Sequence, residues 1–168
     1  MTLMTVFLGA PGNSGAELQA FLEAVAEINE TEGMARGRLF VPIHSSRKGY
    51  PQHVIEENIR NSRYYVLAVE DSIGIAGNTF ERDLWVAGRC QADPNLEMQD
   101  VVVLLKQLAP GQPLQAGAGE FREAVRKSDG VRVFDFADAS EFKARMRALL
   151  SGWLADGDPQ PQSTLSMP

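Results

Sequence analysis

Short runs of consecutive apolar residues constrain the fold of this chain more than any other feature of its sequence. Four runs cover residues 3–8, 39–43, 64–69 and 101–105, and each has the length and composition of a strand buried on both faces. A fifth segment, 131–136, alternates apolar and polar residues, as an edge strand does. Helical apolar spacing lies between the runs, which indicates parallel, right-handed crossovers. The sequence therefore predicts an α/β fold, a doubly wound five-stranded parallel sheet with helices on both faces.

The length and composition fit one domain that binds neither nucleic acid nor a membrane. A chain of 168 residues supports a single core, which we place in residues 1–155, with residues 156–168 as a flexible C-terminal tail. The formal net charge of −6 argues against nucleic acid as a partner. No apolar run approaches the ~20 residues of a membrane span, and the start lacks signal-peptide features. The single cysteine, Cys90, suits a reducing compartment, so we expect a cytoplasmic protein.

Ligands of doubly wound sheets bind outside the carboxyl ends of the strands, so the loops that follow those ends are examined first. The first of these loops reads GAPGNSG, at residues 9–15. Its N–H groups and the next helix N-terminus can hold a phosphate or carboxylate, although a tight turn with a helix cap explains the same residues. His44 and His53 have no Cys or carboxylate partners at ligand spacing, so no metal site is predicted.

The most informative motif surrounds the third apolar run. Ile55, Ile59, Ser62 and Arg63 precede that run, and Glu81 lies 19 positions (81 − 62) after Ser62. In this arrangement the chain resembles the TIR domain superfamily, including the divergent TIR-like modules of bacterial signalling and defence proteins. The opening VFLG and the order of predicted strands and helices are similar as well. The resemblance implies a flavodoxin-like, TIR-like domain.

The resemblance also implies an activity and a set of site residues. TIR-like enzymes cleave the bond between nicotinamide and ribose in NAD, so NAD or a related nucleotide is the expected partner. It would be a substrate, and no separate cofactor is implied. Glu81 is the expected catalytic carboxylate, although the pair Asp83–Leu84 offers a competing register for it. The residues implied to bind substrate are Gly9, Ala10, Asn13, Arg47 and Asp71.

The segment HSSRKGYPQ, residues 44–52, falls where the TIR superfamily places its BB loop. The resemblance therefore implies self-association as a weak homo-oligomer, or association with partner TIR-like domains. A locally basic loop in an acidic protein also fits anion binding or a solvated surface. A non-catalytic TIR-like interaction domain that associates through this loop is an alternative to an enzyme.

A second resemblance involves the same glutamate. GAPG at residues 9–12 and GNTFE at residues 77–81 are similar to features of nucleoside 2-deoxyribosyltransferases. Breaking an N-glycosidic bond develops positive charge on the ribose, which a carboxylate stabilises or captures. Both resemblances place Glu81 beside the C1′ of a ribose, so a nucleoside or nucleotide ribosyltransferase is a further alternative. Asn78 and Glu81 also fit a capping box, in which Glu81 folds back on its own helix.

Overall fold

The computed structural model describes residues 1–10, 15–44, 51–75 and 78–156. The described residues form seven strands and five α-helices, and a π-helical turn and a 3-10 turn join the first helix to the second strand. The elements are β1 (Thr2–Gly9), α1 (Gly15–Ile28), β2 (Arg38–His44), α2 (Gln52–Arg60), β3 (Tyr64–Val69), β4 (Gly74–Ile75), β5 (Asn78–Thr79), α3 (Phe80–Ala92), β6 (Asp100–Lys106), α4 (Ala118–Lys127), β7 (Arg132–Phe136) and α5 (Ala139–Asp156).

The five long strands form one sheet in the order β2–β1–β3–β6–β7, with every neighbouring pair parallel. This confirms the predicted α/β fold, a doubly wound flavodoxin-like sheet of five parallel strands. The two-residue strands β4 and β5 pair antiparallel in a separate small hairpin that leads from β3 to α3. The sequence pattern did not indicate this hairpin, because two-residue strands carry no period.

Two apolar layers hold the helices against the sheet, one on each face. Side chains of α1 and α5 pack with the β1 residues Met4, Val6 and Leu8. Side chains of α2, α3 and α4 pack on the opposite face, where Phe7 of β1 points. Because side chains alternate across a strand, Gly9 faces the α2–α3 side and the following Ala10 faces the α1–α5 side. A residue at the end of β1 therefore reaches one helix layer only.

The order of the strands places the ligand crevice between β1 and β3. The chain runs from β1 outward to β2, then crosses back to β3 on the other side of β1. Loops from the carboxyl ends of β1 and β3 therefore diverge to opposite sides of the sheet and leave a gap between them. Gly9 pairs with Leu67 at this point, so the end of β1 lies beside the middle of β3.

The last helix of the structure extends slightly beyond the predicted domain. Helix α5 continues through Asp156, the first residue assigned to the tail, and the rest of that tail, 157–168, lies outside the described residues. In the described ranges no helix is long and apolar enough to cross a membrane.

Candidate functional site

Helix α3 carries a carboxylate on its buried face. The residues that α3 buries recur at helical spacing and include Phe80, Asp83, Ala87 and Cys90. Asp83 is only 4% exposed, although its neighbours on this stripe are apolar. An aspartate in this position is uncommon, because Asp is rarely buried without a charged partner. The first turn of α3 therefore brings a carboxylate into the layer between α3 and the sheet.

The side chain of Gln52 holds this carboxylate. Gln52 opens helix α2, and its Nε2 donates a hydrogen bond of 2.8 Å to Asp83 Oδ1. The same amide nitrogen lies 3.5 Å from Glu56 Oε1, which also accepts from Arg82 Nε at 2.6 Å. The amide oxygen of Gln52 is buried without a hydrogen-bond partner in the described part of the chain. Gln52 thus presents its donor to Asp83 and leaves an acceptor free beside it.

A second free polar atom lies on β3. Tyr65 is fully buried and stacks on Phe7, with ring centroids 5.6 Å apart. Its hydroxyl has no hydrogen-bond partner among the described residues. A Cβ on Gly9 would lie 3.2 Å from this hydroxyl and 3.0 Å from Leu67 Cδ1. The absence of a side chain at Gly9 therefore makes room for the Tyr65 hydroxyl at the end of β1.

We call these four residues, Gly9, Gln52, Tyr65 and Asp83, the Asp83 cluster. Burial raises the pKa of the Asp83 carboxyl above its ordinary value, and the hydrogen bond from Gln52 opposes this only in part. Burial, with a smaller contribution from the charge of Asp83, raises the pKa of Tyr65 well above its ordinary value. Tyr65 is therefore a protonated hydrogen-bond donor at neutral pH. In the described ranges no cation forms an ion pair with Asp83.

This arrangement suits a ligand that brings positive charge. A buried carboxylate with incomplete compensation becomes more stable when a cation, or a carbon that develops positive charge, comes near. The Tyr65 hydroxyl is a hydrogen-bond donor and the Gln52 oxygen is an acceptor, and neither has a partner among the described residues. No group of three His, Cys, Asp or Glu side chains in the described residues is placed to bind a metal ion.

Glu81 lies on the same turn of α3 but outside the Asp83 cluster. Its side chain is exposed, because a position two residues from Asp83 lies about 200° around the helix. The capping alternative pairs Glu81 with the side chain of Asn78, which lies outside the described part of the chain. The role predicted for Glu81 stays a prediction, and Asp83, in the competing register, is the buried carboxylate.

The residues expected to bind substrate are divided between several places. Gly9 belongs to the Asp83 cluster, whereas Ala10 is buried against the opposite helix layer. Asp71 follows β3, where its carbonyl accepts from the Gln115 N–H at 2.8 Å. Asn13 and Arg47 lie outside the described residues. Of the three that the structure describes, only Gly9 belongs to the Asp83 cluster.

The motif that carries the TIR resemblance has a structural role at Ser62 and Arg63. The hydroxyl of Ser62 is buried and donates to the Asn58 carbonyl at 2.7 Å, which closes the end of α2. The Arg63 N–H donates to the Thr5 carbonyl at 2.9 Å. These bonds fix the entry to β3, and neither involves a residue of the Asp83 cluster.

A charged cluster at the carboxyl end of the sheet escaped the sequence analysis. Lys106, the last residue of β6, lies 3.3 Å from Glu17 Oε1 and 3.2 Å from Glu70 Oε1. Burial lowers the pKa of Lys106, but the bonds and charges of these two carboxylates outweigh it and raise the pKa overall. Arg122 adds hydrogen bonds to the carbonyls of Val69, Glu70 and Lys106. This cluster joins the ends of β3 and β6. Its residues are far apart in the sequence, so no local motif predicts their contact.

Comparison with known families and curated proteins gives no match. No protein-family model matches the chain, and no curated protein is significantly similar to it.

Proposed function

We propose that this domain is a TIR-like NAD glycohydrolase that uses the carboxylate of Asp83. The observation that carries the proposal concerns the described residues: a buried aspartate with no ion pair among them, near a Tyr65 hydroxyl with no partner among them, in a doubly wound sheet. The similarity of residues 55–81 to the TIR superfamily supplies the reaction class. Signalling or defence in the cytoplasm is the corresponding biological setting, and the buried, free Cys90 suits it.

The chemistry of the substrate matches the charge of the cluster. In NAD the nicotinamide ring is a cationic leaving group on the C1′ of a ribose. When the C1′–N bond breaks, the bonding pair goes to the ring nitrogen and the positive charge moves to the ribose. An ionised Asp83 stabilises that charge, and water then adds to C1′ and releases a proton. The products are nicotinamide and ADP-ribose.

Each neighbour of Asp83 has a separate task in this proposal. Gln52 positions the carboxylate through its 2.8 Å bond and helps to keep it ionised. The Tyr65 hydroxyl donates to an oxygen of the ribose, because burial keeps it protonated. Gly9 leaves room for the Tyr65 hydroxyl at the end of β1, because a Cβ there would lie 3.2 Å from it.

The test compares two isosteric substitutions on one helix turn. We expect Asp83→Asn to lower the rate of nicotinamide release from NAD by on the order of a hundredfold or more, as loss of other transition-state charge partners does. Glu81→Gln removes the same charge from an exposed position and is the matched control. Purified, concentrated protein is incubated with NAD, and nicotinamide is measured by chromatography.

Three results would contradict the proposal. If the wild-type protein releases no nicotinamide when concentrated or crowded, the domain is a non-catalytic interaction module. If Glu81→Gln abolishes release and Asp83→Asn does not, the glutamate register is correct. If nucleosides are cleaved or exchanged and NAD is not, the enzyme is a nucleoside ribosyltransferase that uses the same helix.

Self-association is the second part of the proposal. The segment 44–52 would mediate it, and residues 45–50 of that segment lie outside the described residues. We expect Arg47→Glu to weaken any concentration-dependent oligomer and to leave the circular dichroism spectrum unchanged. Light scattering that shows a strict monomer at high concentration, with and without NAD, would remove the basis for this expectation.

A further inference from the structure

The outer side of α3 borders a groove that the proposed activity does not use. Its volume is about 710 Å³, and it lies between α3, the end of α2 and the segment that follows α3. Trp85 and Leu96 both line it and are 55% and 37% exposed. Trp85 is the only aromatic side chain among the large exposed apolar residues of the described ranges. Since Trp85 and Asp83 are two positions apart, they occupy opposite sides of the helix.

Arginine side chains surround this tryptophan in a protein whose net charge is −6. The guanidinium carbons of Arg82 and Arg89 lie 4.8 Å and 5.5 Å from the indole centroid. Arg60, at the end of α2, lines the same groove. Arg82 is also bound to Glu56, whereas the ion pairs among the described residues include neither Arg60 nor Arg89. Two guanidinium groups therefore face one groove, and among the described residues neither has a carboxylate within ion-pair distance.

The residues that line the groove include more cations than anions. Arg60 and Arg89 supply two positive charges, whereas Asp93, whose Oδ1 accepts the N–H of Asn95 at 2.9 Å, supplies one negative charge. A guanidinium offers planar, bidentate hydrogen bonds that match a phosphate, and an exposed indole offers a flat surface for a ring. A volume of this size also falls in the range of small-ligand sites. A phosphate and an aromatic base, joined by a ribose, make up a nucleotide.

We propose that this groove binds a nucleoside monophosphate, with the phosphate on Arg60 and Arg89 and the base against Trp85 and Leu96. Arg82 stays with Glu56, whereas Arg89 leaves the indole for the phosphate and opens one face of the ring to the base. The excess of positive charge in the groove favours an anionic ligand over a cationic one. This site is separate from the Asp83 cluster and does not depend on NAD cleavage.

Isothermal titration with AMP at low salt tests the assignment, and adenosine and inorganic phosphate are titrated separately. We expect AMP to bind at least about tenfold more tightly than either part, because stacking and charge-assisted bonds both contribute. Trp85→Ala and Arg89→Gln should each weaken AMP by about tenfold or more. Lys127→Gln, which removes an exposed cation at the end of α4, is the matched control and should leave binding unchanged.

Fluorescence provides a second readout. Trp153 is only 3% exposed, so quenching of the indole emission by AMP should disappear in Trp85→Phe. Asp83→Asn should bind AMP as the wild-type protein does, which separates this site from the proposed catalytic one. Four outcomes would overturn the assignment: no binding at concentrations up to about 10 mM, equal binding of phosphate and AMP, unchanged binding in Trp85→Ala, or a dimer without AMP affinity that Trp85→Ala dissociates. The last would assign the groove to a second copy of the chain.

Discussion

Asp83 and Asp100 are two aspartates of the same domain with opposite surroundings. Asp100, at the start of β6, accepts hydrogen bonds from the guanidinium of Arg132 and, at 2.8 Å, from the indole nitrogen of Trp153. Asp83 is more deeply buried, yet among the described residues its only hydrogen-bond donor is the neutral amide of Gln52. In the described part of the chain, Asp100 therefore has hydrogen bonds from a guanidinium and an indole, whereas Asp83 has one from an amide.

The difference separates a structural carboxylate from one that is available to a ligand. Asp100 connects β6, β7 and α5, because its partners come from those last two elements. Its charge is compensated inside the protein, so nothing further is needed to stabilise it. The charge of Asp83 is compensated only in part, and burial raises its pKa. A residue of this kind lowers the stability of the folded state and persists where a ligand uses it.

The largest effect on stability is expected at Asp100. Replacing it by alanine removes the bonds to Arg132 and leaves the Trp153 N–H without an acceptor. We expect Asp100→Ala to lower the free energy of unfolding by about 2 to 3 kcal/mol, as for bonds to charged groups. Urea denaturation measures the change, and Asp129→Ala, at an exposed turn position, should stay within about 0.5 kcal/mol of the wild type. Equal stability of the two variants would mean that Asp100 is not structural.

A smaller effect is expected from closing the space beside Tyr65. A Cβ at Gly9 would meet Leu67 Cδ1 at 3.0 Å and the Tyr65 hydroxyl at 3.2 Å, so Gly9→Ala should destabilise the domain by about 1 kcal/mol. The matched control is Gly15→Ala in the first turn of α1, where a Cβ would have no neighbour within 4 Å. That substitution should be neutral or slightly stabilising. Thermal unfolding of both variants makes the comparison, and a stabilising Gly9→Ala would show that the space is not tightly filled.

The sequence predicted the fold well because its apolar runs report burial directly. Residues 64–69 are apolar throughout, and the structure buries every one of them in the centre of the sheet. A run of apolar residues is a local pattern, so it predicts a buried strand without knowledge of the rest of the chain. The hairpin of β4 and β5 is too short to have a period, and it was not predicted.

The site was less predictable because its contacts join distant segments. Glu17 fits a local capping box in the sequence, yet in the structure it is buried and bound to Lys106. The spacing from Ser62 predicted Glu81 as the catalytic carboxylate, whereas the buried carboxylate of α3 is Asp83. Aspartate at a position of the apolar stripe of α3, three residues after Phe80, was the one available signal. The hydrogen bond from Gln52 to Asp83 joins residues 31 positions apart, so it can be found only from the tertiary structure.

The most direct test of this contrast is the pH dependence of unfolding for the wild type and Asp83→Asn. Because folding raises the pKa of Asp83, the contribution of this residue to stability falls as the pH rises from below the ordinary aspartate range through that raised pKa. Asparagine keeps the shape and can still accept from Gln52, but it does not ionise. Denaturation is measured from about pH 3 to about pH 8. The account predicts that Asp83→Asn gains stability relative to the wild type as the pH rises. A difference that is constant, or that falls with rising pH, would contradict it.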